Sequence, residues 1–318
     1  MDPAAPARAP AVGLDVGGTK VLGVLLAADD VVLDTVRVPT SPGADGVVTS
    51  AAKAVRVLTD AAGLAPTDLV GVGLGVPGLV DHASGTVLHA VNLGIGDTPA
   101  PLTGPLGDEL GGVPVTADND LNAAAAGAAH VLGHRADVAF LALGTGVAAG
   151  FLLDGRVRRG WLGAAGEIGH LGLDPTGPLC ACGQRGCLEL SASGASLDAR
   201  WPTGGGVPAP AALFAAAAAG DPRAIAVRDD FAAAVAACVR VLVLTVDVER
   251  VVIGGGVREV GDPLLEAVVG ALGREAAASG FLASLRLAER VELAPRGVPV
   301  AAIGAALAAR GTVAAWRS

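Results

Sequence analysis

The chain has 318 residues, enough for one large domain or two modest ones, and 52% of them are hydrophobic with only 3% aromatic and no Tyr, so any core is built from small and branched aliphatics. The apolar runs are short and broken by Gly, Pro or charge, which excludes a spanning helix of roughly 20 residues. A net charge of −9 argues against a nucleic-acid binder, which needs a basic stripe.

The N-terminal MDPAAPARAP is a Pro/Ala tail without the charged start and continuous apolar stretch of a signal peptide, so a cytoplasmic location with reduced thiols is expected. AVGLDVGGTKVLGVLLAADDVVLDTVRVP reads as three successive strands, the first two joined by a Gly/Thr turn. Helical spacing follows over 46–63, ending at Gly63. LVGVGLGVPG is a buried strand running into a Gly/Pro loop. Its GLGVPG (73–78) formally matches a dinucleotide-binding GxGxxG, but Pro77 and LVDHASGTV do not open a helix, so that reading is rejected. No GxxxxGK[ST] occurs. VPVTADNDLNAAAAGAAHVLG gives a strand, an Asp/Asn-rich junction and an Ala-rich helix.

DVAFLALGTGVAAGFLL then repeats the opening strand–turn–strand device, which suggests two halves of shared topology. Helices dominate from 190 to 247, interrupted by a loop at 201–212. RVVIGGGV is a strand with a Gly-rich end, 262–279 is helical, LRLAERVEL is expected as a strand, and VAAIGAALAARGTVAAW as a closing helix. The expected organisation is a small first domain, 1–118, joined by the closing helix 300–318, and a larger second domain, 119–299.

Three of the four cysteines lie within eight residues, spaced His170-x9-Cys180-x-Cys182-x4-Cys187. Three thiolates and an imidazole complete a tetrahedral zinc shell. An odd count disfavours disulfides, and CxC is too short to bridge easily. A structural Zn²⁺ there would stiffen the loop 170–189 and hold Glu167 and Glu189, whose carboxylates suit neighbouring sugar hydroxyls. His170 can bind metal through one ring nitrogen and a ligand through the other. Cys238 sits in an apolar helix and reads as core.

Gly17 and Gly18 free backbone N–H groups for an anion, and Asp15 suits Mg²⁺ rather than phosphate. Lys20 either offsets phosphate charge or lies solvated. Thr145 in LGTGVAAG marks a second such turn, and Gly254–Gly256 a third, although ordinary hairpins carry the same glycines. TADNDLN places Asp118, Asn119, Asp120 and Asn122 at a helix start. One cap explains one of these residues, and an Asp here can accept a proton from an attacking hydroxyl.

Taken together, DVGGTK, GVPG, DND with LNAAAAG, LGTGVAAG, GEIGH, CACGQRGCLE and VVIGGG resemble, in order, the ROK family of sugar kinases and sugar-responsive repressors. The resemblance implies an actin-like α/β fold with two ribonuclease-H-like domains, an inter-domain cleft and a structural zinc loop. It selects Asp120 as general base. It assigns Gly78, Asn119, Asp120, Glu167, His170 and Glu189 to the sugar. It assigns Asp15, Gly17, Gly18, Thr19, Lys20, Gly144, Thr145 and Gly146 to phosphates and Mg²⁺, Gly254, Gly255 and Gly256 to the nucleoside, and His170, Cys180, Cys182 and Cys187 to zinc. The implied activity is an ATP-dependent kinase acting on the 6-hydroxyl of glucose or a related hexose. The alternatives are an N-acetylmannosamine or N-acetylglucosamine kinase or a polyphosphate-dependent glucokinase, and a homodimer is usual among relatives. A sugar-sensing regulator is the reading from another class. Such relatives carry a DNA-binding module before the first glycine turn, so the 12 residues before Gly13 and the charge of −9 count against that expectation. Three departures from the family pattern stand out: Ala148 and Ala149 in the second turn, NLGIGDTP in the asparagine loop, and Trp161, which either lines the sugar site or packs.

Overall fold

In the computed structural model, which describes residues 9–134, 137–311 and 314–315, the chain forms two compact units. The first takes in residues 1–135, 150–165 and 297–318, and the second 136–149 and 166–296. Residues 1–8 of the Pro/Ala tail lie outside the described residues.

The opening strands β1 (Ala11–Val16), β2 (Lys20–Leu26) and β3 (Val32–Pro39) form two antiparallel pairings. Helix α1 (Ala44–Ala61) buries Val47, Ala51, Val55 and Leu58, a stripe at helical spacing. It starts and stops two residues before the expected 46–63, because Gly63 takes a left-handed φ of 68° beyond its end. Strand β4 (Gly71–Val76) is buried throughout and parallel to β1. It passes into the short strands β5 (Leu79–Asp81) and β6 (Thr86–Leu88) rather than a helix, which removes the dinucleotide reading of 73–78 structurally as well. After β7 (Ala100–Pro101) and α2 (Thr103–Glu109), strand β8 (Val115–Asn119) lies parallel to β4, and α3 (Asp120–Leu132) begins at the next residue. The sheet order is β3-β2-β1-β4-β8.

The second set of strands starts with β9 (Val138–Leu143), β10 (Val147–Leu153) and β11 (Arg156–Val157). Helices α4 (Glu189–Ala192), α5 (Gly194–Arg200), α6 (Ala209–Ala218) and α7 (Pro222–Val246) fill the expected helical stretch, with α6 starting inside the segment expected as loop. Asp221 caps α7 by accepting the N–H groups of Arg223 and Ala224, and Pro222 suits the first turn. Cys238 is fully buried in α7, and desolvation pushes its thiol up to about 12. Strand β12 (Arg250–Gly254) lies parallel to β9, and after α8 (Asp262–Ala278) and α9 (Gly280–Ser284), β13 (Val291–Leu293) lies parallel to β12. Only these last three residues of LRLAERVEL are strand. Arg286 adopts φ 53° and residues Leu287–Arg290 form a 3₁₀ turn, which breaks the extended run.

The order β11-β10-β9-β12-β13 repeats β3-β2-β1-β4-β8, with hairpin strands on one side and parallel strands on the other. This is the shared topology that the repeated glycine turn suggested. Helix α10 (Val300–Ala309) packs against β1, β4 and α3 at backbone distance. A Cβ on Gly13 or Gly73 would lie 1.9 Å from a carbonyl oxygen of α10, and one on Gly127 or Gly304 would lie 1.8 Å from a carbonyl of the facing helix. The Ala/Gly richness therefore serves close helix packing. The expected closing helix stops at Ala309, where Gly311 at φ 72° follows, and β14 (Ala314–Ala315) pairs with β11. The rest of the expected helix, residues 312–313 and 316, lies outside the described residues. Among the described residues no helix is long and apolar enough to cross a membrane.

Candidate functional site

In the first unit, parallel strands β1, β4 and β8 end in register: Asp15 pairs across to Gly75, and Gly75 to Asp118. Their carboxyl-terminal edge thus gathers Asp15, the turn after β1, Gly78, Asn119 and Asp120, where parallel α/β sheets hold ligands. Burial and then the charge of Asp120 raise the Asp15 carboxyl to about 6, partly offset by Lys20. A buried acid sensing a second acid is a setting that a cation relieves.

The β1–β2 turn closes through the Gly17 N–H to Lys20 O bond of 3.0 Å. It is braced by Thr40, whose Oγ1 donates to Gly17 O at 2.7 Å and whose N–H donates to Thr19 O at 3.2 Å. Neither Gly17 nor Gly18 needs positive φ. Gly18 is required by proximity instead, since a Cβ there would lie 2.6 Å from Asn92 O. Asn92 belongs to NLGIGDTP, so this departure from the family pattern touches the glycine turn.

At the β8–α3 junction the two aspartates separate. Asp118 is buried, and its Oδ1 accepts the Asn119 N–H at 2.8 Å and Asn122 Nδ2 at 2.9 Å. Its Oδ2 accepts Arg159 Nε at 2.9 Å and Nη2 at 2.5 Å. Asn119 caps α3, its Oδ1 taking the Leu121 N–H at 2.9 Å while its Nδ2 donates to Gly78 O at 3.1 Å. Gly78 has φ 90°, and a Cβ on it would lie 2.4 Å from Leu88 O, so the glycine is obligatory. Asp120 is the first residue of α3, with Oδ1 accepting the Leu121 N–H at 3.0 Å. Arg159 and Thr40 carry no signal in the sequence, because each acts across distant segments. Trp161 is 90% exposed between Gly160 and Gly163, both of positive φ, so it does not pack.

In the second unit, Gly144–Gly146 and Gly254–Gly256 are neighbours. Gly255, at φ 80°, sits against the Leu143 backbone, where a Cβ would lie 2.5 Å from Leu143 O. Thr145, Gly255 and Gly256 are exposed. Glu189, first residue of α4, turns its Oε2 onto the Val147 N–H at 3.1 Å, and a Cβ on Gly146 would lie 2.3 Å from that oxygen. One oxygen of Glu189 therefore serves the turn, a role beyond the sugar contact expected of it. Glu167 is exposed and precedes the 3₁₀ turn Ile168–His170.

That turn leads into a His/Cys cluster that could hold a metal ion. The donor atoms of His170, Cys180, Cys182 and Cys187 all lie within 4.8 Å of one another. Cys182 and Cys187 Sγ are 3.6 Å apart, and Cys180 Sγ is 3.9 Å from His170 Nδ1. Zn–S bonds of about 2.3 Å put tetrahedral sulfurs about 3.8 Å apart, so these separations fit a metal shell. Tight turns shape the loop: Cys180 N–H donates to Gln184 O and Gly183 N–H to Cys180 O. The thiols sit in opposed environments. The Gln184 backbone N–H holds Cys182 down to about 6, while desolvation pushes Cys187 up to about 12. All three thiols are free of disulfides.

The ROK family profile matches residues 11–311. The chain belongs to the ROK family. A glucokinase of Halalkalibacterium halodurans is 35% identical over 81% of this chain and 83% of its own length. An N-acetylmannosamine kinase of Citrobacter koseri is 33% identical over 77% and 83%. The structure of a ROK family glucokinase from Streptomyces griseus, in complex with glucose and AMPPNP, superposes with a TM-score of 0.76 at 31% identity, covering 95% of this chain and 99% of that one. The α/β two-domain fold expected of ROK sugar kinases is present.

Proposed function

We propose that this ROK protein is an ATP-dependent hexose kinase that phosphorylates the 6-hydroxyl of glucose or a close relative. The observation that carries the reading is the carboxyl-terminal edge of β1, β4 and β8, where Asp15 and Asp120 lie close enough that the charge of one raises the other. Asp118 is occupied by Arg159, Asn122 and the Asn119 N–H, which takes it out of contention as a base.

In this reading Asp120 accepts the proton of the attacking hydroxyl, and Asn119 and Gly78 position the neighbouring hydroxyls. Glu167, His170 and Glu189 contribute further sugar contacts. Asp15 holds Mg²⁺, and the turns at Gly17–Lys20 and Gly144–Gly146 offer N–H groups to phosphate, with Gly254–Gly256 beside the nucleoside. Phosphoryl transfer involves little covalent work by protein groups, so positioning and charge neutralisation dominate. Mg²⁺, when bound, would supply charge neutralisation at the transferring phosphoryl group. His170, Cys180, Cys182 and Cys187 would hold a structural Zn²⁺, which would fix the path of the loop between Glu167 and Glu189. Four free thiols suit a reducing, cytoplasmic setting.

A second reading, an N-acetylhexosamine kinase, is favoured by the likeness to the Citrobacter enzyme and by the altered NLGIGDTP loop. Measuring ADP release against glucose, mannose, N-acetylmannosamine and N-acetylglucosamine, with polyphosphate as a rival donor, separates the two. Glucose is expected to give the highest kcat/KM with ATP. Preference for an N-acetylated sugar establishes the second reading, and no turnover with any hexose defeats both.

A further inference from the structure

The turn between β1 and β2 has a freedom that anion binding cannot use. Glycine accepts either orientation of a peptide plane, and an anion is held only by the orientation that presents N–H groups. Neither Gly17 nor Gly18 takes a positive φ, so no left-handed glycine sets the shape of this turn. What holds its planes comes from outside. Thr40, immediately after β3, donates its hydroxyl to Gly17 O at 2.7 Å and its N–H to Thr19 O at 3.2 Å. Among the described residues every peptide bond is trans, and a trans unit points its carbonyl and its N–H in opposite directions. Each carbonyl that Thr40 takes therefore aims the N–H of the next residue, Gly18 or Lys20, away from Thr40. Gly18, Thr19 and Lys20 are exposed, and among the described residues the Gly18 N–H has no hydrogen-bond partner. The brace is itself anchored: Ser41 N–H donates at 3.0 Å to the Oγ of Ser50, buried in α1, and Gly43 N–H donates to Leu93 O at 2.7 Å.

We propose that Thr40 is a positioning residue for phosphate binding: by holding the Gly17 and Thr19 carbonyls, it keeps the Gly18 and Lys20 N–H groups turned toward the phosphate chain of the nucleotide. The inference rests on the reading of the Gly17–Lys20 turn as a phosphate turn. Thr40 touches no substrate in this role. The second glycine turn is also held by a side chain from a distant segment, Glu189 on the Val147 N–H. There the brace consumes an amide, whereas Thr40 consumes carbonyls and leaves the amides of the first turn to a ligand. Without the Thr40 hydroxyl, Gly17 O loses its partner in a half-buried place, and the plane between Gly17 and Gly18 is free to turn over. A carbonyl then faces the phosphate where an N–H stood, and attraction gives way to repulsion. The bond from Thr40 N–H to Thr19 O survives side-chain substitutions other than proline, so a variant at this position isolates the hydroxyl.

The test compares two ligands that differ in phosphate, AMPPNP and adenosine, by calorimetry on the full chain with Mg²⁺ present, alongside steady-state kinetics with the preferred hexose. Thr40→Val removes the donor and keeps the shape of the side chain. It is expected to weaken AMPPNP about fivefold, the scale of one hydrogen bond, and to leave adenosine within about twofold of wild type. The KM for ATP rises by a similar factor, while calorimetric sugar affinity stays within about twofold. Thr40→Ser keeps the donor and is expected to bring AMPPNP back to within about twofold of wild type. Thr40→Ala removes the donor with less bulk and repeats the measurement should the Val variant fail to fold. A threonine that only supported the fold would lower the melting midpoint and leave the ratio of AMPPNP to adenosine affinity where it was. An unchanged ratio in a folded variant without the donor overturns the proposal, as does a Ser variant no better than Val. Wild-type protein that bound AMPPNP no more tightly than adenosine would overturn the phosphate reading of the turn together with this role. A wild type that prefers AMPPNP, with donor-free variants that keep that preference, overturns this role alone.

Discussion

The turn between β1 and β2 and the turn between β9 and β10 are one backbone device with two chemistries. The first is closed by Gly17 N–H to Lys20 O, the second by Gly144 N–H to Gly146 O, and each joins neighbouring strands at the same place in the shared strand order. The first carries its acid on the strand itself: Asp15 is buried, raised to about 6, and placed at the sheet edge shared with Asp120. The second has no acid on β9 and receives one from α4, where Glu189 accepts the Val147 N–H and lies against Gly146. The repeat thus keeps the path of the chain and not the charge. The first turn follows a strand that carries a buried acid, and the second has one amide already engaged by a carboxylate.

The sharpest way to break this comparison is to remove each acid in turn. If Asp15 holds the cation, Asp15→Asn loses on the order of 100- to 1,000-fold in kcat/KM, the scale of one preorganised charge-stabilising group, and no longer responds to Mg²⁺ concentration. Asp15 also carries a stability signature. Its folded pKa of about 6 lies above the ordinary carboxylate value of 3.8, so its contribution is fully present below about pH 4 and is lost as pH rises through about 6. A shift of about two units corresponds to about 3 kcal/mol, so metal-free Asp15→Asn is expected to melt a few degrees above wild type at pH 7.5 and with wild type at pH 4. Scanning calorimetry at both values checks this, and equal midpoints at pH 7.5 would show that the acid is not strained there.

Next in size is the His/Cys cluster, if it holds zinc. Cys182→Ser is expected to lose stoichiometric zinc in elemental analysis, to lower the melting midpoint, and to reduce activity tenfold to a hundredfold, the range for disturbed metal surroundings. Smaller effects belong to the second turn. Gly146→Ala forces the Glu189 carboxylate aside and is expected to cost about tenfold in kcat/KM, since misplaced positioning groups are felt at this scale. Glu189→Gln keeps an acceptor for Val147 N–H, so the turn survives. A loss under tenfold means that the carboxylate acts mainly on the turn, and a larger loss that its charge also meets the sugar.

Spacing made the His170, Cys180, Cys182 and Cys187 cluster and the three glycine turns legible in the sequence, because their partners lie within a few residues or repeat a recognisable device. The shared topology of the two sheets followed from that repetition. What stayed hidden depends on distant pairing. Nothing in TADNDLN distinguishes Asp118 from Asp120, since the Arg159 side chain that pairs with Asp118 comes from a separate segment. The bond from Val147 to Glu189 spans 42 residues and reads as two unrelated motifs. LRLAERVEL alternates well enough for a strand, but Arg286 takes a left-handed conformation and the turn after it shortens β13 to three residues. Gly18 lies in the expected turn, and its need for glycine comes from Asn92 in another segment.

The central claim, that Asp120 removes the proton while Asp118 only holds the junction together, is tested most directly by Asp120→Asn in the same preparation for binding and turnover. Calorimetric sugar affinity within about threefold of wild type, with kcat lowered at least 100-fold, is the expected result for a lost general base. Near-normal turnover would contradict it and return the role of base to another group.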